Sequence, residues 1–285
     1  MAAGLCYGAT LTLLRTKDLI VLRIISRYLK HSTEFTPTRL HYTNKMHLHN
    51  TTGPPKTIPL GVSPLVLSER DRASLLCGAN LRVQVDVQNM DTYTVGTFPR
   101  AMLAQFSTLI AKYRTKQPTA TAIVIRSDVA PASLAYLFDW MLETCASEKP
   151  QPLPMTSDFH DDVDLYVAAF RLRVDEAERA AGDALIFYID TCTWDVEAFA
   201  VMVHRLPVNS RVMEHLLLVT LDLCHEDRLE AFEDIRAILK PLPAVRKRVR
   251  ELDEQIEDPV EEYLGMAQDC DFEESLLVER FKFRR

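Results

Sequence analysis

Leu81-Arg82-Val83-Gln84-Val85-Asp86-Val87, then Gln88-Asn89-Met90-Asp91, then Thr92-Tyr93-Thr94-Val95, is the stretch that decides the fold. Leu81, Val83, Val85 and Val87 alternate with Arg82, Gln84 and Asp86, the period of two expected of a strand with one buried face. The polar tetrapeptide reads as a turn, and Tyr93 with Val95 share one face of a returning strand, so the segment predicts a β-hairpin. Ile123-Val124-Ile125 is a short β-branched run that reads as a third, buried strand.

Helical spacing surrounds these strands. Ser68 opens a short helix that ends near Leu75-Leu76-Cys77 and is stopped by Gly78. After the hairpin, Thr97 and Pro99 suit a helix start, and Met102, Leu103, Phe106, Leu109, Ile110 and Tyr113 recur at three and four residues. Pro131 starts a helix with the stripe Leu134, Leu137, Phe138, Met141, Leu142 and Cys145. A Pro-rich loop (Pro150, Pro152, Pro154) leads to a helix from about Asp161 bearing Tyr166, Val167 and Phe170. Asp161 and Asp162 suit its positive N-terminal end. Asp175-Glu176-Ala177-Glu178 reads as a capping box, with Asp175 in the cap, opening a helix through Ala181, Leu185, Tyr188 and Ile189. Three short strands cannot cover a core of this size, so the helices must pack on a small sheet, an α+β arrangement.

The same residues resemble a family. Leu75-Leu76, the strand from Leu81, and Thr97-Phe98-Pro99-Arg100-Ala101-Met102-Leu103-Ala104-Gln105-Phe106-Ser107 are similar to the BTB/POZ domain, in which a hairpin runs into F-x-V-H-K-x-x-L-x-x-x-S. Ile123-Val124-Ile125, Asp128, Pro131 and Leu137-Phe138-Asp139-Trp140-Met141-Leu142 resemble its I-x-L-x-D-x-x-P-x-x-F-x-x-L-L segment. Leu165-Tyr166-Val167-Ala168-Ala169-Phe170-Arg171-Leu172 resembles its L-L-x-x-A-x-x-h helix. The resemblance covers roughly residues 70–190 and is nearest to the divergent BTB-like group abundant in fungi. It implies a small sheet covered by helices and a role in self-association or partner binding. The usual His-Lys is Pro99-Arg100 here, and the Asp that commonly opens the first strand is replaced near Asn80. Some members recruit a cullin scaffold through a hydrophobic-x-Glu motif after the first long helix, but Arg114 to Thr121 contains no Glu.

Four segments are expected: a basic, poorly ordered extension and linker at 1–67, a BTB/POZ-like domain at 68–192, a helical extension at 193–243, and a charged helix or tail at 244–285. In the extension, Asp195 caps a helix bearing Val196, Phe199, Ala200 and Val203. Asn209 or Ser210 caps another bearing Val212, Leu216, Val219 and Leu223. Leu229, Phe232, Ile235 and Leu239 mark a third, ended by Pro241 and Pro243.

The 285 residues carry a net charge of −7, unevenly spread. Residues 1–45 hold seven Lys/Arg and two acids, a net +5, and the remainder is −12. An acidic body disfavours nucleic acid, whose affinity comes from clustered cations. Asp18–Ser32 reads either as a basic amphipathic helix of mitochondrial-presequence type or as an extension ahead of a start at Met46; neither apolar run near the N-terminus reaches the ~20 residues that span a bilayer. Cytoplasm or nucleus is the expected compartment. Six scattered cysteines (Cys6, Cys77, Cys145, Cys192, Cys224, Cys270) without Cys-x-x-Cys suit a reducing environment. The eight glycines never take the spacing of a dinucleotide-binding turn or a P-loop, and Gly-x-Ser-x-Gly and His-Glu-x-x-His are absent. No enzyme activity and no cofactor are expected.

Three functions are weighed. The first is a non-catalytic interaction module forming a homodimer or binding another protein, with Leu75 and Leu76 as interface residues. The second is a substrate adaptor of a cullin-based ubiquitin ligase, which the missing Glu disfavours. The third is a metal-dependent hydrolase centred on His160 and Asp161, with Asp162, His204, His215 and His225 as further donors; helix capping explains the acids equally well. His41, His47 and His49 have no Cys or carboxylate beside them and read as decoration. Cys224-His225-Glu226-Asp227 lacks a facing nucleophile–base pair, because neighbours on a helix diverge. Arg246-Lys247-Arg248-Val249-Arg250 reads as a solvated face paired to Glu251 and Glu254, or as a nuclear-import signal or nucleic-acid contact. Trp140 and Trp194 read as core or interface anchors.

Overall fold

The structure is a computed structural model that describes residues 58, 62–86, 92–126, 129–156, 158–191, 195–226 and 231–255. The basic extension before 58, the hairpin turn, Cys192, Trp194, Leu229 and the acidic stretch after 255 lie outside them.

The alternating segment forms the centre of a three-stranded mixed sheet. Strand β1 (Asn80–Asp86) pairs antiparallel with β2 (Tyr93–Pro99) and parallel with β3 (Ala122–Arg126), in the order β2-β1-β3. Leu81, Val83 and Val85 are buried, while Arg82 on the other face is exposed. The hairpin register slips between Val83 and Gln84, which leaves Val95 as an extra residue on β2. Next to this bulge the Phe98 ring folds over Gly96, where a Cβ would stand 2.8 Å from two ring carbons. Only glycine admits that approach.

Strand β2 runs further than its sequence suggests. Thr97, Phe98 and Pro99 belong to the strand, because Phe98 turns inward to meet Phe138 at a centroid distance of 4.8 Å, and the helix begins at Arg100. The single helix expected over Met102–Tyr113 is two: α2 (Arg100–Phe106) and α3 (Thr108–Lys116). Ser107 breaks it. Its backbone is extended and its hydroxyl accepts the Ile110 amide, the N-cap geometry that starts a new helix.

A first short helix, α1 (Glu69–Ser74), precedes the sheet, capped by Ser68. Beyond β3 come α4 (Pro131–Ala146), α5 (Phe159–Leu172), α6 (Asp175–Thr191), α7 (Val196–Arg205), α8 (Arg211–His225), α9 (Phe232–Leu239) and α10 (Pro243–Asp253). Helix α5 starts two residues before Asp161, because Asp158 supplies the cap, its carboxylate accepting the His160 and Asp161 amides. Asp175 is the first residue of α6 rather than its cap. Asp195 and Ser210 cap α7 and α8 as read from the sequence.

The protein is therefore α+β: a small sheet covered by helices and followed by further helices. Helices α2 and α4 pack against β2, α5 against α4 and α6, α7 against α5, α8 against α6, and α9 and α10 against α7 and α8. One apolar core runs from Leu75 through Tyr166 and Phe199 to Leu252. Residues 62–67, inside the expected linker, are packed: Pro64–Val66 form a 3-10 turn beside α4, and Gln105 donates to the Val62 carbonyl at 2.8 Å.

Candidate functional site

The two leucines chosen as interface residues close α1. Leu75 is the C-cap and is 5% exposed, buried in the chain's own core; Leu76 is half-buried and packs partly against it. Of the pair, Leu76 has surface to offer a partner. Gly78 follows with φ +99°, and open space surrounds its would-be Cβ, so the backbone alone demands glycine where the chain reverses into β1. The exposed large apolar side chains among the described residues include Val66 (75%), Tyr93 (48%), Val124 (47%) and Phe187 (68%). Tyr93 and Val124 lie on the outer strands β2 and β3, whose backbone edges are ready to pair with another chain. The edge of β3 is blunted at its start, where the Tyr113 hydroxyl donates to the Ala122 carbonyl at 3.0 Å.

What anchors this region is Arg72, unnoticed in the sequence. It is 2% exposed. Its guanidinium donates to the Thr144 carbonyl at 3.1 Å, to Ser147 and Glu148 at 2.8 Å each, and to Leu67. The cation thus sits on the C-terminal end of α4, where the helix dipole favours positive charge, and ties α1 to it.

Of the candidate metal donors, Asp162 serves the start of α5: its carboxylate accepts the Thr156 amide and hydroxyl at 2.7 Å each. The His160 and Asp161 backbone amides donate to the Asp158 cap. His204 Nδ1 lies 2.8 Å from the Ala200 carbonyl, His215 Nε2 2.6 Å from Asp190, and His225 Nε2 3.3 Å from Asp253. Among the described residues, no three or more His, Cys, Asp or Glu side chains form a group able to hold a metal ion. The structure does not bring His204, His215 or His225 into a group with His160 and Asp161.

Cys224 is buried. Burial and the Asp253 charge push its thiol up to about 11, and burial pushes Cys145 up to about 12, so both stay protonated and poorly nucleophilic near neutrality. Cys77 is exposed, and all three are free thiols.

In α10, Lys247 pairs with Glu251 at 3.8 Å as its spacing implies. Arg248 does more: it binds Glu251 at 3.2 Å and reaches Glu214 on α8 at 2.9 Å. Part of the basic cluster therefore holds the helices together. Arg211 does similar work between α8 and α6, reaching Asp183 at 2.7 Å and the Arg179 carbonyl.

A shallow groove of about 450 Å³ lies between the second half of α4 and the Pro-rich loop, lined among others by Glu143, Ser147, Pro152 and Pro154, with the buried Trp140 and Leu153 beneath it. Trp140 is 4% exposed and its indole donates to the Gln151 carbonyl at 3.1 Å, which fixes the loop over the helix. Tyr136 does the same one turn earlier, donating to the Pro154 carbonyl at 3.0 Å. Glu143 is one of its lining residues, and Asp139 stands one turn before it on α4. Partial burial and the charge of Glu143 raise the Asp139 carboxyl above its ordinary range.

Set against models of known protein families and against curated proteins, the chain matches none. Among the described residues, no helix is long and apolar enough to cross a membrane.

Proposed function

We propose that this chain is a non-catalytic interaction module of BTB/POZ type that self-associates or binds a partner protein in the cytoplasm or nucleus. One observation carries the reading. The quoted motifs follow one another in the order of the family, and each falls on the element the resemblance implies: Leu75-Leu76 at the end of a short helix, the alternating segment in a hairpin, Ile123-Val124-Ile125 in a strand beside it, and the two apolar stripes in α4 and α5. Nucleic acid and membrane are not the partners proposed, given the acidic body. The buried, protonated Cys145 and Cys224 offer no ready nucleophile.

The docking surface lies near the N-terminal helix and the first hairpin, with Leu76 and Tyr93 supplying apolar contact and the outer edge of β2 supplying unpaired backbone. Light scattering over a micromolar concentration series tests it. The expected result is twice the chain mass in the wild type and a shift toward monomer in Tyr93→Ala and Leu76→Asp. A monomer mass for the wild type across the whole series would falsify self-association.

A further inference from the structure

The chain that leaves α4 for α5 alternates: Lys149-Pro150-Gln151-Pro152-Leu153-Pro154. Each proline fixes its own φ near about −65°, and each residue before a proline is pushed away from helical ψ. Six successive residues are thereby held to the polyproline II region, a helix of three residues per turn. The structure carries that period. Residues 150–156 form no helix, strand or turn. Pro150, Leu153 and Thr156, three apart, are half-buried, buried and half-buried. Lys149, Gln151, Pro152 and Pro154 between them are exposed, and Met155 is half-buried where the run ends. Two carbonyls one turn apart are pinned to α4: Gln151 accepts the Trp140 indole at 3.1 Å and Pro154 the Tyr136 hydroxyl at 3.0 Å. One ridge of this three-sided helix thus lies on α4, while Pro152 and Pro154 stand in water on the other two.

We propose that residues 150–154 are a built-in polyproline II ligand for a partner domain with a groove lined by aromatic rings, which takes Pro152 and Pro154 from the solvent side. Three of these five residues lack an N–H, so the segment cannot pair with a partner as a strand. Residues 150–156 carry no charge, so ions do not read them. Proline faces laid on aromatic rings are the contact that remains. The chain already handles the segment this way on its inner side, where two aromatic side chains donate to its carbonyls. Those bonds and the buried Leu153 order the ligand in advance, which cuts the entropy lost on binding.

An array of purified Src-homology 3 and WW domains, both readers of polyproline II through aromatic grooves, probed with the full chain tests this. At least one domain is expected to bind and to shift the Gln151 and Leu153 amides. A synthetic proline-rich ligand of that domain, by filling its groove, is expected to displace the chain. Pro152→Ala/Pro154→Ala is expected to bind about tenfold more weakly. Both side chains are exposed, so the variant is expected to melt within about 5 °C of wild type. The competition with the synthetic ligand uses the wild-type chain and decides the matter even where the variant unfolds. An array without binders, unchanged affinity in the folded variant, a chain that the synthetic ligand does not displace, or shifts confined to other elements would each overturn the proposal. Failure of self-association leaves it standing, because Leu76 and Tyr93 lie outside the segment.

Discussion

Replacing Arg72 with Ala removes a side chain that joins the approach to α1, α1 itself, the end of α4 and the following loop. Four carbonyl groups lose a charged donor: Leu67, Thr144, Ser147 and Glu148. Only the bond to Thr144 is fully buried, so its orphaned carbonyl costs about 1–3 kcal/mol, and the other three, which water reaches, cost about 0.5–1 kcal/mol each. Against this, the variant no longer desolvates a guanidinium, which returns part of the loss. The net is a destabilisation of about 2–4 kcal/mol, which for a body of this size lowers Tm by roughly 5–15 °C. Arg72→Met keeps the apolar stem and separates packing from hydrogen bonding; it is expected to recover less than half of the loss. Arg72→Lys puts its donors on one nitrogen and cannot span four carbonyls, so it too stays well below wild type. Thermal melts followed by circular dichroism give the size, and hydrogen exchange gives the place: amides in the last turn of α4 and in 147–149 should lose protection ahead of the sheet. A Tm within about 2 °C of wild type for Arg72→Ala, or exchange unchanged at the end of α4, refutes the reasoning.

Ser107→Ala removes both the α3 cap and a 2.6 Å bond to the Leu172 carbonyl inside the core, and chemical denaturation should show a loss of about 2–3 kcal/mol. Arg173 ends α5 at φ 54°, ψ 57°, and Arg173→Gly should raise stability by up to about 1 kcal/mol as that left-handed strain is relieved. Asp139→Asn should raise Tm at neutral pH. The Asp139 carboxyl is raised in the folded state, so the native protein holds its proton to higher pH than the unfolded chain does; stability then falls as pH rises through that window, and the advantage of Asn should vanish in melts run below the ordinary carboxylate range.

Much of the fold is legible in single residues. The alternation from Leu81, Pro131 at a helix start, Ser68, Asp195 and Ser210 as caps, and the apolar stripes of α4 and α8 each carry their own local physics. Two of the misreadings share a cause: a local signal overridden by a distant contact. Thr97-Phe98-Pro99 looks like the start of a helix, but Phe98 is drawn into the strand by Phe138, forty residues on. The stripe from Met102 to Tyr113 keeps helical period across Ser107, so periodicity hides the break. What fixes the break is the Ser107 hydroxyl reaching Leu172 and the Thr108 amide reaching Arg173, neither visible from neighbouring sequence.

The same division governs the candidate surfaces. Leu75 and Leu76 are adjacent and chemically alike, yet one is core and the other half-buried, because Leu75 still closes α1 while Leu76 lies in the turn that leaves it. Arg72, the residue most committed to structure here, carries no sequence mark that separates it from Arg70, two positions away and exposed. A charged residue is expected at the surface, and the exception is made by carbonyls contributed from the end of another helix.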